Sequence, residues 1–254
     1  QIDNNFSNSI KKDGYCLLEF KDNSWEETTN KVYKYFENEK KIFTSEKTFF
    51  NNEWLNNNSK TENIANYKNI LNVIEEIYQR KCFAFETKNL LLDHLVSLQD
   101  QSLNYDSVPT GFFCTVIVFL NNFQDNDYCL KLYRGSHKYR DINYENFSSY
   151  IGKTKSEVIN KFHEISEDKL IKYELPFDVI YPKKGNILIL HRNLIYKSFA
   201  NKKGKSNQLI QLTNYFFENT DYYSPINSII SGSISRIKCF DFTNNKWRPS
   251  YLEI

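Results

Sequence analysis

Side chains that bind metals or move protons near neutral pH are few in this chain. Histidine occurs four times, at His94, His137, His163 and His191. No two of them stand in an H-x-H or H-x-x-x-H pair, so local spacing builds no metal site with two imidazoles. The five cysteines, Cys16, Cys82, Cys114, Cys129 and Cys239, are widely spaced and include no C-x-x-C pair. They read as buried thiols of a reducing compartment, not as a disulfide framework or a zinc site, and a cytoplasmic setting is expected. The sequence has no G-x-G-x-x-G, G-x-x-x-x-G-K-[ST] or G-x-S-x-G run, which leaves dinucleotide, phosphate-loop and serine-hydrolase chemistry without their usual devices. Lys202, Lys203, Gly204 and Lys205 read as a solvated hairpin tip, and Ser231, Gly232 and Ser233 as a turn. The 18 tyrosines and 20 phenylalanines mostly belong in a core, although a pocket lined with them suits an apolar or sugar-like ligand.

Whatever chemistry these residues perform, a scaffold must hold them. The chain has 254 residues, 33 Lys and Arg against 31 Asp and Glu, and a formal net charge of +2. That length buries a core without disulfide or metal staples. The charge balance argues against a bulk nucleic-acid binder. With a mean hydropathy of −0.62 and no apolar run near 18 residues, no spanning helix is expected, and the opening residues do not read as a charged-then-apolar leader. Ser24 is placed to cap a helix through Trp25, Val32, Tyr35 and Phe36, and a second helix is predicted over 64–83, with Ile70, Val73, Ile74 and Ile77 on one side. Residues 51–62 read as a loop. Beyond residue 90, β-branched and aromatic runs predict strands at 112–120, 129–133, 186–190, 194–199 and 209–217, the first of them buried on both faces. Residues 165–170 read as a short helical turn, and His163 as a solvated residue of a charged helical segment. The expectation is a mainly β chain with flanking helices (α+β), a jelly roll or barrel, folded as one domain over 1–254. Residues 1–90 would be a mostly helical cover, 91–220 the jelly-roll core and 221–254 a C-terminal extension.

Three segments of the β half carry a family likeness. Residues 133–138 read Y-R-G-S-H-K. Residues 182–191 read P-K-K-G-N-I-L-I-L-H, followed by R-N-L-I-Y-K-S to Ser198 and by Asn201. Residues 206–215 read S-N-Q-L-I-Q-L-T-N-Y. In order and spacing they resemble the phytanoyl-CoA dioxygenase family, whose members carry a G-S-H-[KR] turn, a K-x-G-D strand leading to H-x-x-x-x-H-x-S, then Asn and an Arg-bearing strand. Residues 6–18, with Asp13, Gly14 and Tyr15, resemble the family's opening helix and strand. The resemblance covers about 95–217 and, more weakly, the start. It implies a double-stranded β-helix that performs Fe(II)/2-oxoglutarate oxygenation through two histidines and one carboxylate.

Carried over residue by residue, the resemblance places Asn104 at the first histidine of the H-x-D pair and Asp106 at its carboxylate, two positions apart on one strand face. Tyr196 falls at the distal histidine and Gln208 at the arginine that grips oxoglutarate, with Ser198 beside it. Thr115, His137 and His191 join Asn104 as pocket residues, although for His137 a turn-stabilising role and for His191 a locally bonded strand end are the plainer readings; His94 reads as an ordinary surface or strand residue. Asparagine offers only a neutral amide oxygen. Tyrosine, with an ordinary pKa near 10, is a weak ligand for a divalent ion. Glutamine lacks the charged fork that arginine gives a carboxylate. The expectation is therefore a degenerate site with no cofactor, in a protein that binds or acts on a small molecule in the jelly-roll pocket. Asp106 and Tyr196 would be its catalytic residues, with Asp106 a general acid or base if burial raises its pKa. Two alternatives stay open. One is an active Fe(II)/2-oxoglutarate oxygenase of a small-molecule, lipid or sugar intermediate, with Asp106 on the metal. The other is a non-catalytic interaction module. A small-molecule partner is expected, and neither nucleic acid nor membrane.

Overall fold

In the computed structural model, residues 5–39, 48–50, 64–92, 113–122, 128–139, 144–200, 208–219, 223–233, 235–236, 239–241, 243–244 and 246–248 are described. The chain opens with α1 (Asn5–Asp13), β1 (Tyr15–Glu19), α2 (Asn23–Glu39) and β2 (Thr48–Phe50). It continues through α3 (Lys68–Tyr78), β3 (Cys82–Leu92), β4 (Phe113–Phe119), β5 (Tyr128–Tyr133) and α4 (Lys155–Lys172). Then come β6 (Phe177–Ile180), β7 (Asn186–His191), β8 (Tyr196–Ala200) and β9 (Gln208–Phe217). Short elements close it: β10 (Tyr223–Ser224), α5 (Pro225–Ser231), β11 (Ser235–Arg236), β12 (Cys239–Asp241) and β13 (Lys246–Arg248). Among the described residues no helix is long and apolar enough to cross a membrane.

Local chemistry sets the helix ends. The Asp22 carboxylate accepts the Trp25 N–H at 2.8 Å, so Asp22 supplies the side-chain cap of α2 that was expected from Ser24. α3 stops well short of residue 83: Gln79 adopts a left-handed conformation with φ 54°, and from Cys82 the backbone pairs with β9 instead. The turn expected at 165–170 is part of an 18-residue helix. Its start is fixed by a capping box in which Thr154 and Glu157 bond each other's backbone N–H groups.

A six-stranded antiparallel sheet runs β1-β7-β4-β9-β3-β2, and a three-stranded sheet runs β6-β5-β8. Residues 1–90 thus do more than cover the core: they supply β1, β2 and most of β3. Strand alternation gives the large sheet two buried faces. On one, Cys16, Cys114, Val116, Ile189 and Tyr215 pack with Ile10, Trp25, Val32, Ile70 and Ile74 of the three N-terminal helices. On the other, Ile117, Phe119, Leu188, Leu190, Ile210 and Leu212 meet Leu130, Leu132 and Tyr196 of the small sheet. Of β4 only Thr115 is not fully buried, as its unbroken apolar run predicts. Each buried leucine or isoleucine here contributes roughly 2 kcal/mol. Two sheets face to face with helices against one of them form the expected double-stranded β-helix.

The edge between the sheets is clamped by polar side chains. Tyr15 Oη of β1 donates to Asp178 Oδ2 of β6, and Arg134 Nε lies 3.2 Å from the same oxygen. Burial, and then the bond to Asp178, push the Tyr15 phenol well above its ordinary range.

Candidate functional site

The G-S-H turn follows β5 directly, and its bonds explain its place. Gly135 has φ +74°, a region that favours glycine, and its N–H donates to the Asp13 carbonyl at 3.0 Å. Ser136 is fully buried. Its hydroxyl oxygen accepts the Ile195 N–H at 2.8 Å, while the Ile195 carbonyl accepts the Tyr133 N–H at 3.1 Å. Residue 195 is held on both sides, which fixes where β8 begins. The next residue is Tyr196, paired in register with Leu132 and 3% exposed. It lies in the cluster with Leu130, Leu190 and Leu194.

His137 and His191 form a corner post beside α1 and β1, their ring centroids 4.9 Å apart. His137 Nε2 is 3.2 Å from the Lys11 carbonyl oxygen. A carbonyl only accepts, so this nitrogen carries the proton and Nδ1 is left as an acceptor. Nδ1 is buried with no partner among the described residues. Burial lowers the His137 pKa, the bond to Lys11 opposing it. The ring stands so close to Gly14 (φ +88°) that a Cβ there would lie 2.6 Å from Nδ1. His191 donates its backbone N–H to the Gly14 carbonyl at 2.8 Å, and its Nδ1 accepts the Asn193 N–H at 3.2 Å. By strand alternation His191 shares the face of Ile187 and Ile189, while Leu188 and Leu190 point between the sheets.

Thr115 lies opposite Leu190 and Asn214 in the ladder, and its hydroxyl donates to Asn214 Oδ1 at 2.7 Å. Phe113 and Phe216 share that face, their rings 5.7 Å apart. Thr115 and Tyr196 therefore face the space between the sheets, whereas His191, expected in the pocket, is turned to the helix-covered face of the same sheet. Ser198 pairs with Leu130 on the small sheet, and Gln208 opens β9 opposite Leu92. Asn104, Asp106 and His94, with the loop expected at 51–62, lie outside the described residues. His163 lies on α4, half-buried. No group of three or more His, Cys, Asp or Glu that could hold a metal is found among the described residues.

Sequence reasoning gave no contact to Asn214, Asp178 or Tyr15. Their partners are 99 and 163 residues away along the chain, so no local spacing marks them. The buried thiols are as expected: Cys16, Cys82 and Cys114 are free, and burial pushes the Cys16 pKa up to about 12, which leaves it inert as a nucleophile at neutral pH.

The chain matches no protein-family model and no curated protein sequence. Solved structures do match it. The non-heme alpha-ketoglutarate-dependent carbocyclase SnoK from nogalamycin biosynthesis superposes with a TM-score of 0.62 at 11% identity, covering 90% of this chain and 89% of its own. EctD from S. alaskensis with bound Fe gives 0.60 at 11% identity, over 89% and 80% of the two chains. HygX from Streptomyces hygroscopicus with nickel and 2-oxoglutarate bound gives 0.58 at 12% identity, over 86% and 88%. At such identities the likeness is one of fold alone.

Proposed function

We propose that this chain is a phytanoyl-CoA dioxygenase-like protein with a degenerate iron site, which binds or transforms a small molecule between its two sheets without iron and oxoglutarate. The observation that carries this reading is Tyr196. It opens β8 and is buried beside Leu130, Leu190 and Leu194, and the resemblance assigns to it the position of the family's distal histidine. A phenol, whose ordinary pKa is near 10, is a poor member of an Fe(II) ligand set built on imidazole and carboxylate. Asn104 in place of the first histidine and Gln208 in place of the gripping arginine support the same reading from sequence. In it, Asp106 and Tyr196 hold and move protons, while Thr115 and Asn214 offer the ligand a polar contact. Neither nucleic acid nor a membrane is part of it.

The test is thermal unfolding with Fe(II) or Mn(II) plus 2-oxoglutarate, alongside an assay for succinate. A ligand at a hundred times its Kd adds about 2.7 kcal/mol to the native state, a readily measured rise in Tm. The expected result is an unchanged Tm and no succinate. A clear rise together with succinate formation overturns the reading in favour of an active Fe(II)/2-oxoglutarate oxygenase.

A further inference from the structure

The small sheet has an open edge at β6. This strand pairs with β5 on one side, Leu130 opposite Ile180 and Tyr133 opposite Phe177, and among the described residues no strand pairs with its other side. In an antiparallel ladder, residues alternate between those whose backbone groups face one neighbour and those whose groups face the other. One bond fixes the phase here: the Arg134 N–H donates to the Pro176 carbonyl at 2.9 Å. Pro176, Asp178 and Ile180 therefore turn their backbone groups to β5. Phe177, Val179 and, just past the strand, Tyr181 turn theirs to the open edge. The side chains of the same three residues lie on the outer face of the sheet, where they are 47%, 41% and 59% exposed.

Edge strands are commonly guarded by charged residues that discourage pairing with another chain. The outer face of β6 carries none. Its one charged residue, Asp178, is turned inward to Tyr15 and Arg134. The neighbouring surface is apolar as well. Phe177 meets Tyr133, their ring centroids 5.9 Å apart, and Tyr133 clusters with Leu170 at the end of α4. Of the nine exposed large apolar residues among those described, five lie between Ile171 and Tyr181. Apolar side chains gathered in this way mark an interaction site rather than the scatter of an ordinary surface.

We propose that β6 pairs with β6 of a second copy of this chain, antiparallel about a two-fold axis at Val179, joining the two small sheets into one. In that register Phe177 stands opposite Tyr181 of the second copy, and Val179 opposite its own counterpart. The outward-facing residues are the same odd-numbered set on both strands, so each backbone group on the open edge from 177 to 181 meets its complement. This fit of the strand to itself selects a second copy as the occupant. Charge agrees with it. No like charges meet at the axis, and Lys131, whose Nζ lies 3.5 Å from the centre of the Phe177 ring, comes beside the Tyr181 ring of the second copy, which favours a cation. Pro182 has no N–H to extend the ladder, so the contact closes as a two-fold pair instead of growing. The ladder is short of the roughly 800 Å² per partner of a standard interface. Ile171 and Tyr173 add apolar surface next to it, and the pair is a weak, reversible dimer. The proposal is independent of what the inter-sheet space binds.

Sedimentation velocity and hydrogen exchange on the full chain test this. The wild type is expected to sediment as a monomer at about 1 μM and largely as a dimer at about 100 μM. Over the same range the amides of Phe177, Val179 and Tyr181 are expected to slow at least about tenfold in exchange, while those of Asp178 and Ile180, already bonded to β5, do not change. Val179→Lys sets two ammonium groups against each other at the axis and is expected to weaken the dimer at least about a hundredfold. Ile151→Lys adds the same charge at another exposed apolar side chain, beyond the opposite end of α4, and is expected to leave the dimer intact. A wild type that is monomeric throughout overturns the proposal, and so does protection of the odd-numbered amides in a monomer, which would assign the edge to a segment of the same chain. A dimer that survives Val179→Lys, or that leaves the odd-numbered amides unprotected, places the contact elsewhere and overturns the edge. If the Val179 variant does not fold, the wild-type exchange pattern decides alone. None of these readouts involves iron or oxoglutarate, so failure here is distinct from failure of the functional reading.

Discussion

His137 shows how much one side chain of a short motif can be asked to do. Its proton is on Nε2, facing the Lys11 carbonyl, and its bare Nδ1 is buried beside Gly14, where a Cβ would stand 2.6 Å away. A second proton has no acceptor there among the described residues. Burial depresses its pKa, with Lys138 pushing the same way and the Lys11 carbonyl and Asp13 pushing back. The sign for stability follows. Above about pH 6.5, the ordinary histidine value, the ring is neutral in both folded and unfolded chains and its contribution is full. As pH falls below that value, the unfolded chain takes up a proton that the folded chain resists, and stability declines until the folded pKa is passed. Thermal melts of the wild type and of His137→Gln between pH 5 and 8 are expected to differ in slope: the variant loses part of the fall seen in the wild type below pH 6.5. Parallel curves would show that the ring does not titrate in this window. The motif G-S-H was visible in the sequence, but the tautomer was not, because the Lys11 carbonyl that sets it is 126 residues away.

At the scale of elements, the same motif acts through Ser136 rather than through the imidazole. The Ser136 hydroxyl accepts the Ile195 N–H in a buried site, tying the end of β5 to the start of β8. Ser136→Ala leaves that N–H without an acceptor and is expected to cost about 2 kcal/mol, measured by urea unfolding. A loss below about 0.5 kcal/mol would mean that another group or water takes the bond. The strands β4, β5, β7, β8 and β9 were legible in the sequence to within two residues, because β-branched, aromatic and other apolar residues are concentrated in them. β3 was not. Its residues, C-F-A-F-E-T-K-N-L-L-L, carry no clean alternation, and the helix signal at Ile70, Val73, Ile74 and Ile77 runs toward them. Pairing with the whole length of β9 decides the conformation, and a register shift at Ala84 disrupts the two-residue period that a sequence reading looks for. The helix α4 was underestimated for the opposite reason: its capping box is a local signal, Thr154 followed three residues later by Glu157, that went unused.

For the whole molecule, the proposed places of Asn104, Tyr196 and Gln208 make a sharp claim about what the scaffold offers. Asn104→His, Tyr196→His and Gln208→Arg in one chain are expected to create binding of Mn(II) and 2-oxoglutarate, read as a rise in Tm that the wild type does not show. A folded triple variant that gains neither would mean the three positions do not converge. The sequence by itself determined the fold class, since strand periodicity and the order of short motifs are properties of neighbours along the chain. The tertiary structure alone decided which residues share a space. It set Tyr196 among leucines, turned His191 to the helix-covered face, joined Tyr15 to Asp178 and Thr115 to Asn214 across the chain, and seated Arg248 on Phe83. Those pairings depend on sheet register and on which face of a strand is buried, and a register is fixed only when two distant segments meet.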